Sequence, residues 1–231
     1  MTTMANAAEQ KREDERRTIE AFSDFSNIYN FKKDFTYSYK TEAGLTEDIV
    51  RTISAEKKEP KWMLDFRLKS LDIFHHLEYP VWGPNISELH MDDIVTYVRP
   101  NTQMKASWDD VPDDIKDTFD RLGIPEAEKT SLAGVGAQYD SEVVYHSIQE
   151  ELVQQGVIYT DFETALREYG DIIQAHFMKL VPPTDHKFAA LHGAVWSGGS
   201  YVYVPAGVDV SIPLQSYFRL NAPGAGQFEH T

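Results

Sequence analysis

The sequence contains no cysteine among its 231 residues. Disulfide bridges, thiolate nucleophiles and thiolate metal ligands are therefore excluded within this stretch of chain. The absence of cysteine is compatible with a reducing cytoplasm. The fold must depend on a packed core, and a composition of 42% apolar and 12% aromatic residues provides enough side chains to build one.

The sequence also lacks long apolar runs and a surplus of basic residues. No stretch approaches the roughly 18 apolar residues of a membrane span, and the N-terminus shows no apolar signal-peptide core. The formal net charge is -15, and residues 61 to 180 hold 10 basic against 22 acidic side chains. We therefore predict a cytoplasmic protein with neither nucleic acid nor membrane as a partner. The acidic middle indicates a solvated face or, alternatively, a docking surface for a basic partner.

Helix signals dominate the first half of the sequence. Three helices are predicted at residues 9 to 30, residues 45 to 57 and residues 61 to 77. Thr46 is placed to cap the second of these helices, and Pro60 precedes the third. An extended connector follows at about residues 78 to 110, with several prolines and one short strand at Ile94 to Val98.

Helix signals continue after the connector. Pro112 and Gly123 bracket a short acidic helix. Asp140 or Ser141 is placed to cap a helix over EVVYHSIQEELVQQG, and Asp161 is placed to cap FETALREYG. Helix signals stop beyond Pro182, so an architectural boundary is expected there, between residues 1–181 and residues 182–231.

The region after the boundary reads as short strands joined by tight corners. The run Tyr201 to Val204 is β-branched and aromatic, and Gly-Gly and Pro-Ala-Gly bound it on either side. Strands are predicted near residues 188 to 195, 200 to 204 and 208 to 220.

The glycines of LAGVGAQYD do not make a nucleotide site. Gly134 and Gly136 have the first spacing of a dinucleotide fingerprint, but Tyr139 stands where its third glycine belongs. This segment is interpreted as a loop. No phosphate-binding GxxxxGK[ST] motif occurs, so the chain is not expected to bind or hydrolyse ATP by itself.

Histidines supply the candidate metal ligands. His186 and His192 are six residues apart, which would place both on one face of a strand. With Glu229 they would make a small cupin-like barrel metalloenzyme, the alternative function considered for this chain. A metal cupin also needs a nearby His-x-His, and the sequence has none. We therefore predict neither a catalytic residue nor a metal ligand.

Several long segments resemble one protein family. These segments are LAGVGAQYDSEVVYHSIQEEL, GVIYTDFETALREY, KFAALHGAVWSGGSYVYVP and PLQSYFRLNAPGAGQFEHT. Together they are similar to the SufB family, scaffold subunits of the SUF machinery for iron–sulfur cluster assembly. The similarity is densest from about Ser131 to Thr231 and looser from Thr46 to Lys129.

The resemblance implies an α+β fold, with an N-terminal helical region followed by the first coils of a right-handed parallel β-helix. It also implies a scaffold and not an enzyme, working with a SufC-type ATPase and a SufD-type paralogue. The family carries its sulfur-receiving cysteine, its cluster ligands and its SufC-docking end further downstream. The chain is therefore expected to be an N-terminal portion that holds no cofactor itself.

The resemblance further implies a role for two residues of the YFRLN motif. Arg219 and Asn221 stand where the family has polar residues inside the β-helix, on the presumed sulfur path. They are two residues apart, so on a strand they share a face. The alternative is that both are ordinary polar strand residues with satisfied hydrogen bonds.

Overall fold

The computed structural model describes residues 36–105, 107–121 and 134–231. The helices are α1 (Glu47–Lys57), α2 (Lys61–His76), α3 (Asp113–Arg121), α4 (Glu150–Gln154), α5 (Phe162–Glu168), α6 (Gly170–His176) and α7 (Lys187–Val195). The strands are β1 (Tyr37–Lys40), β2 (Val98–Pro100), β3 (Gly134–Tyr139), β4 (Glu142–Ile148), β5 (Ile158–Asp161), β6 (Ser200–Tyr203) and β7 (Leu214–Arg219). Short 3-10 turns lie at Met91–Asp93 and Trp108–Asp110.

The chain divides into two compact units. One comprises Met1–Asp34 and Asp113–Pro125, and the other comprises Phe35–Pro112 and Glu126–Thr231. Helix α3 is the described part of the first unit, and it begins directly after Pro112 as predicted. The end of that helix near Gly123 and the helix predicted at residues 9 to 30 lie outside the described residues.

The helix starts read from local sequence are confirmed in the second unit. The side chain of Thr46 accepts a hydrogen bond from the Ile49 amide at 3.3 Å, which satisfies one of the free amides at the start of α1. The Asp161 carboxylate accepts from the Thr164 amide at 2.8 Å and caps α5 in the same way. Helix α2 follows Pro60, also as predicted.

Three helices form the main apolar core. Helix α7 packs against α1 and α2, and the buried side chains between them are almost all aliphatic. The core residues are Leu45, Ile49, Val50, Ile53, Leu71, Phe74, Tyr97, Ala190, Leu191, Ala194 and Val195. A second cluster joins α2 to α5 and α6 through Met63, Phe162, Ala165, Leu166, Ile173, Phe177 and Trp196.

A buried arginine connects α2 to the end of α7. The Arg67 guanidinium donates to both carboxylate oxygens of Glu59, at 2.8 and 2.6 Å, and both side chains are almost completely excluded from solvent. It also donates to the carbonyl oxygens of Ala194 and Trp196, at 3.1 and 2.9 Å. Arg67 therefore satisfies carbonyls at the α7 C-terminus that have no partner within the helix.

The strands form three small sheets. The largest has the order β4-β3-β7, in which β3 pairs antiparallel with β4 and parallel with β7. Strands β5 and β6 pair antiparallel in a second sheet, and β1 and β2 pair antiparallel in a third. The parallel register runs from Gly134 opposite Leu214 to Tyr139 opposite Arg219.

The prediction for residues 134 to 148 was wrong. The segment interpreted as a loop is strand β3, and the first half of the predicted helix that follows it is strand β4. Asp140 and Ser141 form the turn of this β3–β4 hairpin instead of capping a helix, and only Glu150–Gln154 is helical. The β-branched and aromatic run Val143 to Tyr145 fits a pleated strand once β3 lies beside it.

The strand predicted near residues 188 to 195 was also wrong, because these residues belong to α7. The side chain of His186 accepts from the Ala189 amide at 3.1 Å and begins this helix. Helix α7 is apolar on nearly all sides, so it has no amphipathic stripe that would separate it from a buried strand. Its alanines favour the helix.

The remaining strand predictions met mixed outcomes. The strand near residues 200 to 204 is confirmed as β6, although it pairs antiparallel with β5. The strand expected at residues 208 to 220 is confined to Leu214–Arg219. The strand expected at Ile94 to Val98 is displaced to Val98–Pro100, with two isolated bridges at Val95.

In the described part of the chain, β1 to β5 lie before residue 182, so this region is mixed and not simply helical. The boundary at 182 stays a prediction, as does the right-handed parallel β-helix. Among the described residues, no helix is both long and apolar enough to cross a membrane.

We expect the substitution Arg67→Leu to destabilise the fold by about 3–5 kcal/mol, because it leaves the buried Glu59 carboxylate without a counterion. Urea unfolding followed by circular dichroism measures this change. The matched control is Lys61→Ala on the same helix, which removes an exposed ion pair with Asp65 and should cost less than about 1 kcal/mol. Equal losses in the two variants would contradict the role assigned to Arg67.

Candidate functional site

The two residues singled out in the YFRLN motif lie in the interior. Arg219 ends β7 and is 8% exposed, while Asn221 follows the strand and is fully buried. The Asn221 side chain donates to the Tyr37 hydroxyl at 3.3 Å. The structure therefore brings both residues to one buried region, at the end of β7.

Asp140 organises this buried polar region. Its backbone is left-handed, with φ of 53°, as the hairpin turn between β3 and β4 requires. One carboxylate oxygen accepts from the backbone amides of Asn221 and Ala222, at 2.6 and 2.9 Å. The Asp140 amide donates to the Arg219 carbonyl at 2.8 Å. Asp140 thus fixes the chain path on both sides of Leu220.

Gln138 extends the same network to the loop after α7. Its side-chain oxygen accepts from the Gly199 amide at 2.8 Å, and its amide nitrogen donates to the carbonyls of Asp140 and Ser197, at 2.9 and 3.3 Å. Gly198 is required here: its φ is 71°, and an added Cβ would lie 2.2 Å from the Gln138 oxygen. The signal in the sequence is the Gly-Gly pair, but its partner Gln138 is 60 residues away and was missed.

A buried charge cluster adjoins the polar region. The Lys57 ammonium lies 2.9 Å from Glu142 and 2.7 Å from Glu163, and it also donates to the Ser141 carbonyl at 3.2 Å. Burial by itself lowers the pKa of Lys57, but the two carboxylates outweigh it and raise the pKa. For Glu163, burial by itself raises the pKa, but the attraction to Lys57 outweighs burial and lowers the pKa. Lys57 and Glu163 therefore stay charged, and the cluster ties α1 to β4 and α5.

Two histidines form a half-buried pair that the sequence did not indicate. His192 Nε2 lies 2.7 Å from His230 Nδ1, and their rings stack 5.0 Å apart. The His230 ring also packs against Phe162 and Phe177. Burial lowers the pKa of His192 to about 4, helped by nearby Arg67. Burial, followed by the charges of His192 and Arg67, lowers the pKa of His230 to about 3. Both imidazoles are neutral at physiological pH.

The metal pair considered as an alternative for His186 and His192 does not form. His186 caps α7, whereas His192 lies on that helix and pairs with His230. The premise of a shared strand face fails because the segment is helical. His186, His192 and Glu229 do line one cavity of about 570 Å³, but no set of three His, Cys, Asp or Glu in the described residues is arranged to hold a metal ion. The cupin-like alternative has no support.

We expect Asp140→Ala to destabilise the fold by about 2–4 kcal/mol, because it leaves two buried amides without an acceptor and puts alanine in a left-handed conformation. Asp140→Asn is the matched control. Asparagine keeps an acceptor oxygen and tolerates the left-handed backbone. The decrease in the unfolding midpoint should therefore be less than half of that in Asp140→Ala. If the two variants unfold alike, the amide bonds to Asp140 do not stabilise this turn.

We also expect the stability to fall as the pH is lowered from about 6.5 towards 4. The unfolded chain takes up protons on His192 and His230 near their ordinary pKa of about 6.5, whereas the folded chain does not. His230→Phe removes one of these protonation sites. It should reduce the slope of the unfolding free energy against pH by up to about 1.4 kcal/mol per pH unit. Thermal melting between pH 4 and 7 measures this, with the exposed His76→Phe as control. If the pH dependence of stability is unchanged in His230→Phe, the claim that this histidine pair is neutral in the folded protein is wrong.

Comparison with known proteins gives the family. The family model for the SufBD protein N-terminal region matches residues 50–216. The chain is 54% identical over 203 residues to iron–sulfur cluster assembly protein SufB of Bacillus subtilis (strain 168). It is 54% identical over the same length to an iron–sulfur cluster assembly SufBD family protein of Staphylococcus aureus (strain USA300). Each match covers 88% of this chain and 44% of the relative, so the chain spans about half the length of these relatives. The chain belongs to the SufBD family of iron–sulfur cluster assembly proteins.

Proposed function

We propose that this chain is the N-terminal part of a scaffold on which iron–sulfur clusters are assembled. The observation that carries the proposal is the 54% identity over 203 residues to the SufB protein of Bacillus subtilis. The partners would be those of a SUF-type complex, a SufC-type ATPase and a SufD-type paralogue. The work would take place in the cytoplasm, where reducing conditions suit sulfide chemistry.

The parallel pairing of β3 with β7 supports a solenoid architecture. These strands are separated by more than 70 residues, and parallel strands always need such a crossover connection. In a β-helix, each further coil adds a parallel strand to the exposed edge of the one before. We propose that the longer protein continues from the β7 edge as a right-handed parallel β-helix.

Arg219 and Asn221 are proposed to lie on the route of sulfur through this interior. Arginine keeps its positive charge even when it is buried, and Arg219 is 8% exposed. A fixed positive charge attracts anionic sulfur, whether hydrosulfide or persulfide, and an amide N–H can donate to it. The sulfur and the cluster are cargo in this proposal, and the chain supplies position and charge without catalysing a reaction by itself.

The test uses the full-length protein in its complex with the ATPase and the paralogue. Arg219→Met should slow cluster formation from iron and a sulfur donor at least tenfold, because the positive charge on the route is lost. Arg219→Lys keeps a charge and should retain more of the rate. Cluster formation is followed by visible absorption, and thermal melting of each complex checks that folding is intact.

Two results would overturn the proposal. A folded Arg219→Met complex that assembles clusters at the normal rate removes Arg219 from the sulfur route. Failure of the full-length protein to co-purify with either partner would remove the SUF-type assembly itself.

A further inference from the structure

Four polar side chains meet between the β4-β3-β7 sheet and the β5-β6 sheet. They come from four different strands: His146 on β4, Tyr159 on β5, Ser200 on β6 and Ser216 on β7. The Tyr159 hydroxyl lies 2.6 Å from Ser216 Oγ, and Ser216 Oγ lies 2.8 Å from Ser200 Oγ. The hydroxyls therefore form a continuous chain that joins the β4-β3-β7 sheet to the β5-β6 sheet.

His146 faces this chain with one unsatisfied nitrogen. Its ring packs against Tyr159, with centroids 4.4 Å apart. Its Nε2 is buried and has no hydrogen-bond partner among the described protein atoms. Leaving a buried polar atom without a partner is unfavourable, and such atoms in folded proteins usually bind an internal water. Burial lowers the pKa of His146 to about 4, so the ring is neutral and one of its nitrogens is an acceptor.

A cavity of water size lies at the same place. Its volume is about 10 Å³, and its polar lining includes His146, Ser200, Ser216 and Gln138. Gly136 also borders it: a Cβ there would lie 3.1 Å from the Tyr159 hydroxyl and 3.7 Å from His146 Cδ2. A buried water needs about this volume and two to four polar partners. The volume excludes any larger ligand.

We propose that this cavity is a binding site for a single buried water molecule, held by His146 Nε2 and by the hydroxyls of Ser200 and Ser216. Water can donate to Nε2 or accept from it, so the site is satisfied with either tautomer of the ring. Its remaining hydrogen bonds go to the serine hydroxyls. The water thereby links side chains from β4, β6 and β7, and it completes the polar connection between the two sheets.

The test is a high-resolution crystal structure of the chain, or of the full-length protein, with His146→Phe as the variant and His176→Phe as the control. The unaltered protein should show one ordered water within hydrogen-bond distance of His146 Nε2 and of a serine hydroxyl. His146→Phe should lose it, and His176→Phe should keep it, since His176 lines a different cavity. If the density of this water is the same in the unaltered protein and in His146→Phe, then His146 does not hold it.

A solution measurement decides the matter if the His146 variant does not fold. In the unaltered protein, magnetisation should transfer from a long-lived water to the His146 ring protons in NMR spectra. No transfer in solution together with an empty cavity in the crystal, or a His146 ring rotated onto a protein acceptor, would overturn the proposal.

Discussion

The position of the α7 C-terminus, and of everything built on it, depends on the buried Arg67 guanidinium. It neutralises Glu59, donates to two carbonyls at the end of α7, and lies 4.4 Å from the Trp196 ring centre. Planar guanidinium is suited to this task because it can donate in several fixed directions at once. A lysine could not hold the carboxylate and both carbonyls in the same geometry.

The loop that follows α7 connects the fixed end of this helix to strands β3 and β7. Residues 197 to 199 follow Trp196, and their backbone is hydrogen-bonded to the Gln138 side chain. The same side chain donates to the Asp140 carbonyl. Asp140 then holds the backbone just beyond β7. A helix–helix interface is thus connected to the end of the parallel strand by consecutive, fully buried hydrogen bonds. Such networks give a unique arrangement because a partial break leaves polar groups unsatisfied.

Burial disfavours the charged form of every titratable group described here, and the neighbouring charges decide which groups stay ionised. Lys57 and Glu163 stay ionised, since opposite charges within 3 Å offset the loss of water. Burial is the largest influence on His146, His192 and His230, and it lowers the pKa of each. The interior of this part of the protein is therefore polar without carrying titrating charge near neutral pH.

The sequence by itself determined the features that depend on neighbouring residues or on long matching segments. The caps at Thr46 and Asp161 involve residues only three positions apart, so short-range signals predict them. The family was predicted from four long segments, and the match to residues 50–216 confirmed it. Arg219 and Asn221 are buried, while their place inside a β-helix and their role in sulfur transfer stay predictions.

Only the tertiary structure decided between helix and strand in short apolar segments. Residues 142–148 and 187–195 are both apolar and short, and their propensities are too weak to choose against the packing around them. The first became a strand because β3 offers it a hydrogen-bonding edge, and the second became a helix because α1 and α2 enclose it on several sides. His192 with His230 and Arg67 with Trp196 are joined across 38 and 129 residues. No local pattern encodes such pairs, because they exist only when distant elements pack together.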